Sequence, residues 1–100
     1  MNGFFTMIGM AKRAGKVQSG EDIVKKAIRK GDAKLVIIAH DSSDNTKKSI
    51  INSCEYYKVK YVEAESMEEL GRCIGASFRA VVSINDSNFA KAIQDKYKAD

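Results

Sequence analysis

The chain has no proline, a single histidine at His40, and two cysteines, Cys54 and Cys73. The absence of proline leaves every α/β topology open. The cysteines lie far apart with no CxxC pair, so they read as small buried apolar side chains that suit a reducing cytoplasm. One histidine without a cysteine cluster leaves no ligand set for a metal. There is no P-loop, GxGxxG or HExxH pattern, and the glycines at 15, 20 and 31 are too widely spaced to cradle one phosphate. No cofactor is expected. The apolar start, Phe4, Phe5, Met7, Ile8 and Met10, is cut short by Lys12 and Arg13, so this stretch is not expected to be a membrane span or a signal peptide. Repeats and low-complexity stretches are also missing, which argues against disorder.

His40 ends an apolar run, where α/β proteins often place functional groups. A nucleophilic centre would still need a partner, and the neighbouring Asp41, Ser42 and Asp44 read as a turn leading into a helix cap. No catalytic residue is assigned, and the expected function is non-enzymatic.

One hundred residues suffice for one modest core, so residues 1–100 are read as a single domain. The net charge of +4 is unevenly spread: residues 1–50 hold ten Lys/Arg against five Asp/Glu, and residues 51–100 hold seven against eight. An excess gathered on one face would attract a polyanion.

Phe4, Ile8 and Ala11 recur at helical spacing and predict a first helix from about Asn2 to Ala14, followed by a short extended piece, Lys16–Gln18. After Gly20, a second helix opens on Glu21 and Asp22 and closes on Arg29 and Lys30 before Gly31. Its apolar stripe reads as Ile23, Val24, Ala27 and Ile28. Leu35–Ala39 is continuously apolar and β-branched, as expected of a central strand buried on both faces. A third helix from near Asn45 carries Ile50, Ile51, Cys54 and Tyr57 inward, and a strand covers Tyr61–Glu63. Ser66 and Glu69 have capping-box spacing and open a fourth helix that carries Leu70, Cys73 and Ile74 and stops at Gly75. Ala80–Ile84 is a second buried strand. A last helix capped near Asp86 or Ser87 carries Phe89, Ile93 and Tyr97. Alternating helices and strands predict a three-layer α/β/α sandwich, with about five helices around a four-stranded mixed sheet. In it, Val36, Ile38, Val81 and Ser83 share neighbouring central strands.

The charges of the second helix have an ordinary explanation, since Glu21/Lys25 and Asp22/Lys26 are i,i+4 pairs and the late cations complement the helix dipole. Its glycine-led start adds something more: Gly20 permits close approach to backbone N–H groups, and Lys26 follows one and a half turns on.

The sequence resembles the ribosomal protein L7Ae/L30e family, which binds kink-turns in RNA. The resemblance runs through Gly9-Met10-Ala11-Lys12-Arg13-Ala14-Gly15-Lys16, Gly20, Lys26–Gly31, Ala33–Ala39, Asn45–Lys48, Leu70-Gly71, Gly75 and Phe78–Ile84. It is nearest to bacterial stand-alone, YlxQ-like members, and Leu70–Ile84 also looks like the L30e branch. The resemblance implies an α/β/α sandwich around a mixed sheet and a structured RNA partner, possible targets including ribosomal RNA, in a monomeric cytoplasmic protein with no membrane contact. By position it also implies an RNA site made of Gly20, Glu21, Asp22, Lys25 and Lys26 at the second helix, facing tandem sheared G·A pairs. Ala76, Ser77, Phe78 and Arg79 would cover an extruded base. Many members carry Asn-Glu where this chain has Asp22-Ile23, and Ile23 cannot accept a hydrogen bond from a guanine edge. If the fold serves RNA, Lys12, Lys16, Lys26 and Lys47 should share a face with Phe78; an adaptor that binds proteins would instead show an apolar patch elsewhere.

Overall fold

In the computed structural model, which describes residues 3–64 and 66–99, the apolar run Leu35–Ala39 forms a strand buried at every position. Its side chains alternate between two cores, as the pleat requires. Leu35, Ile37 and Ala39 join one cluster, and Val36 and Ile38 join the other.

In chain order the elements are α1 (Gly3–Arg13), β1 (Val17–Ser19), α2 (Glu21–Lys30), β2 (Leu35–Ala39), α3 (Asp44–Tyr57), β3 (Tyr61–Ala64), α4 (Met67–Cys73), β4 (Val81–Ile84) and α5 (Ser87–Ala99). The expected first-helix start at Asn2 lies outside the described residues. The sheet order is β1-β4-β2-β3, with β4 antiparallel to both β1 and β2, and β2 parallel to β3. Val36 pairs with Ser83 and Ile38 with Val81, as the apolar patterning predicts. Helices α1, α4 and α5 pack Phe4, Phe5, Ile8, Leu70 and Ile93 against one sheet face. Helices α2 and α3 pack Val24, Ile28, Ile50 and Cys54 against the other. The result is the expected three-layer sandwich.

Local chemistry fixes the helix ends. Ser43 caps α3 and Ser66 caps α4, their hydroxyls accepting from the backbone N–H of Thr46 and Glu69 at 3.1 and 3.0 Å. The Asp86 carboxylate accepts from Phe89 N–H at 2.9 Å and starts α5. Both cysteines are unpaired thiols. Burial pushes the Cys54 thiol up to about 12 and the Cys73 thiol up to about 11.

Three residues leave the stripes assigned to them. Ile23 is 52% exposed because, at 100° per residue, it sits about 90° round α2 from the middle of the Val24–Ala27–Ile28 face. Tyr57 and Tyr97 are 41% and 40% exposed, since both lie in the last turn of their helices. Tyr97 still rests against Phe4, with ring centroids 5.3 Å apart.

Strand direction divides the molecule into two ends. Strands β1, β2 and β3 run one way and β4 the other, so one end of the sheet gathers the last residues of β1–β3 and the first residue of β4. The N-terminus of α2 opens at that end and its C-terminus at the opposite one.

Candidate nucleic-acid interface

At the end where α2 opens, Gly20 takes φ 99° and ψ 143°, a conformation that side chains rarely adopt, and donates its N–H to the Val81 carbonyl at 3.2 Å. A Cβ added to Gly20 would meet nothing within 4 Å, so the space in front of it is open. No side chain caps α2. Its first intrahelical bond runs from Val24 N–H to the Gly20 carbonyl at 2.9 Å, so the preceding first-turn N–H groups face outward in the arrangement that accepts anions or base edges.

Residues 76–79 lie beside this opening because α4 holds them. Ala76 N–H donates to the Gly71 carbonyl at 2.8 Å, and Arg79 N–H donates to the Met67 carbonyl at 3.1 Å. Gly71 makes the close approach possible: a Cβ there would stand 2.1 Å from the Ser77 carbonyl oxygen and 2.6 Å from its carbon. Arg79 then ties the loop to β1, its Nε donating to Ser19 Oγ at 3.0 Å and its guanidinium to the Phe78 carbonyl at 2.8 Å. With its backbone held on both sides, the Phe78 side chain is displayed, at 62% exposure.

Not all residues implied by the resemblance are equally available. Gly20, Asp22, Lys26, Ser77 and Phe78 are open or exposed, whereas Ala76 packs against the core. Glu21 Oε1 accepts from Thr46 Oγ1 at 3.0 Å, joining the starts of α2 and α3. Lys25 Nζ donates to Ser49 Oγ at 2.8 Å. Glu21 and Lys25 thus brace α2 against α3, and the outward side of the helix start is left to Asp22, Ile23 and Lys26.

Lys47 is near this end, 3.9 Å from Glu63, which also approaches His40 at 3.7 Å. Lys12 and Lys16 are not. Gly15 N–H bonds the Lys12 carbonyl, and Asn85 N–H bonds the Lys16 carbonyl, which places both lysines at the start of β1 and the far end of β4. The expected common face of four lysines with Phe78 therefore does not form, because β1 runs antiparallel to β4.

Sequence reasoning missed Ser19, Ile23 and Thr46. The Arg79–Ser19 bond spans 60 residues and the Thr46–Glu21 bond spans 25, so no local pattern reports either. Ile23 did carry a signal, its position at the edge of the α2 stripe. Among the described residues no group of three or more His, Cys, Asp or Glu side chains could hold a metal ion, and no helix is long and apolar enough to cross a membrane.

Residues 4–94 match the family model described as "Ribosomal protein L7Ae/L30e/S12e/Gadd45 family". The chain is 48% identical over 90 residues to "RNA-binding protein YlxQ" of Bacillus subtilis (strain 168), covering 90% of each chain. It is 37% identical over 81 residues to "Large ribosomal subunit protein eL8" of Thermoplasma volcanium, covering 80% of this chain and 67% of that one. A solved structure of a Bacillus halodurans protein with unknown function superposes with a TM-score of 0.95 at 28% identity, covering 98% of this chain and 99% of the other.

Proposed function

The chain belongs to the ribosomal protein L7Ae/L30e/S12e/Gadd45 family, and on that premise we propose that it is a non-enzymatic, translation-associated RNA-binding protein that recognises a kink-turn or a similar bent internal loop. The observation that carries this reading is the joining of Phe78 to the glycine-led start of α2. An aromatic ring at 62% exposure stands on a loop pinned through Arg79 to Ser19, the residue before Gly20. A core phenylalanine would be covered. A displayed one, beside open helix N–H groups, suits a splayed base on one side and paired base edges on the other.

The geometry supports a division of labour on this reading. The open backbone at Gly20 and the first-turn N–H groups of α2 meet the base edges of sheared G·A pairs, and Asp22 supplies the acceptor that Ile23 cannot. Exposed Ile23 offers an apolar surface to a base or ribose. Phe78 stacks on the extruded nucleotide, and Lys26 holds a phosphate. Glu21, Lys25, Ala76 and Arg79 position these groups and do not read the RNA.

Ultraviolet crosslinking in the native cell, with sequencing of the attached RNA, tests the reading. The expected result is recovery of a small set of RNAs containing bent internal loops, with the attachment on a peptide that includes Phe78. Reads spread evenly over abundant RNA, or attachment confined to other peptides, would refute it.

A further inference from the structure

The end of the sheet opposite Phe78 carries a groove of about 820 Å³ between the C-termini of α2 and α3, the starts of β2 and β3, and α5. Arg29, Lys34, Lys58, Lys60, Lys91 and Lys98 line it, with Lys30 also present. Among the described residues, the acids paired with these seven cations are Asp95, 3.3 Å from Lys91, and Asp32, 3.8 Å from Lys30. The excess of five exceeds the net +4 of the whole chain, so the remainder is slightly negative. By contrast, Glu21, Asp22, Lys25, Lys26 and Arg79 at the other end are nearly balanced.

Helix dipoles do not account for this. The C-termini of α2 and α3 each present about half an elementary negative charge, together about one. That offsets Arg29 or Lys30 and leaves several cations facing one another. Lys58 adds an independent sign. It takes φ 59°, the only positive φ at a non-glycine among the described residues, while Gly15, Gly20, Gly31 and Gly75 hold the other positive-φ positions. A lysine thus occupies a helix end that favours glycine, and it lines the groove. Tyr57 stands on the same wall, 41% exposed, in edge-to-face contact with the more exposed Tyr56 at 4.8 Å.

We infer that this groove is a second RNA-binding surface, which holds a single-stranded segment flanking the bent loop by its phosphates, with a base stacked on Tyr57. Single strands are bound by this combination of a concave basic track with aromatic platforms. The two surfaces lie on opposite ends of a body measuring 30 × 26 × 24 Å, so one RNA engaging both must pass around the protein. The first surface then supplies selectivity and the second supplies most of the electrostatic attraction, with linkage of the two raising apparent affinity. This rests on the RNA-binding reading above, but on different residues.

The test compares the full chain with an Arg29→Gln/Lys60→Gln/Lys98→Gln variant, whose changes are confined to exposed side chains. Each is titrated over a salt series with a kink-turn RNA, the same RNA bearing a long uridine tail, and the uridine oligomer alone. The tail should raise affinity for the wild-type chain about tenfold or more, and the variant should lose that gain. With the tailed RNA the salt slope should fall by about two, at roughly 0.7 per lost single-strand contact. Binding of the tailless RNA should stay within about twofold, and the melting temperature should not change. If the kink-turn reading fails, the uridine oligomer still reports on the groove: salt-dependent binding that the variant loses supports it. A tail that adds nothing, a gain that survives in the variant, or equal groove-dependent binding of phosphatidylserine vesicles or polyglutamate would overturn the proposal.

Discussion

Replacing Phe78 with alanine separates a displayed ring from a core ring by two measurements with opposite expectations. Truncating a fully buried phenylalanine costs roughly 3–5 kcal/mol. Phe78 is 62% exposed, so only the covered fraction is at stake. Scaling gives a stability loss of about 1–2 kcal/mol at most, and less if the denatured chain also covers the ring. Removal of a base-stacking aromatic costs roughly 1–3 kcal/mol of binding, about 5- to 150-fold in Kd. Thermal melting and titration of a kink-turn RNA on the same preparation read both quantities. The expected outcome is a melting temperature lowered by less than about 10 °C, with binding weakened within that range. A stability loss of about 3–5 kcal/mol, with unchanged affinity of the folded fraction, would refute the reasoning.

Gly71→Ala forces its Cβ against the Ser77 carbonyl, 2.1 Å away, and must displace the loop. It should cost roughly 1–3 kcal/mol in a melt and weaken RNA binding beyond the loss of folded protein; an unaltered melt and Kd would show that the loop is not held by this contact. Lys26→Ala should lower the salt slope of RNA binding by about one contact's worth, and an unchanged slope in the same titration would place Lys26 off the interface. The Cys54 thiol is pushed up to about 12 in the folded chain, from an ordinary value of 9.0 for a solvated cysteine. Its contribution to stability is therefore fully present below pH 9 and lost as pH rises from 9 towards 12. Melts of wild type and Cys54→Ala across that window should converge as pH rises, and parallel curves would contradict the assignment.

Much of the fold was legible because it rests on local patterns. Leu35–Ala39 is apolar at every position, short and rich in β-branched residues, which favours a strand covered on both faces over a buried helix. The serine cap of α4 is visible as spacing, and the structure forms it. The departures concern direction and end position. The order β1-β4-β2-β3 depends on a three-residue strand finding a partner more than sixty residues away, and nothing within Val17–Ser19 specifies that partner. The lysine cluster expected around Phe78 dissolved for the same reason, since the direction of β1 carries Lys12 and Lys16 to the other end. The exposed state of Phe78 was equally hidden. A phenylalanine before a buried strand could turn either way, and what decides is the contact of the loop with Gly71, made in space between elements. The basic groove stayed out of sight because its cations come from three helices and the starts of two strands, and a running count along the sequence divides them between the two halves.

The most direct measurement of the central proposal is the Kd of the purified chain for a kink-turn RNA against the same RNA with its tandem sheared G·A pairs replaced by Watson–Crick pairs, at matched length, charge and salt. Counterion release is the same for both RNAs, so any difference reports on the bent loop itself. Binding to the kink-turn should be tighter by about tenfold or more, and Phe78→Ala should narrow that ratio. Equal affinity for the two RNAs would contradict recognition of the bend.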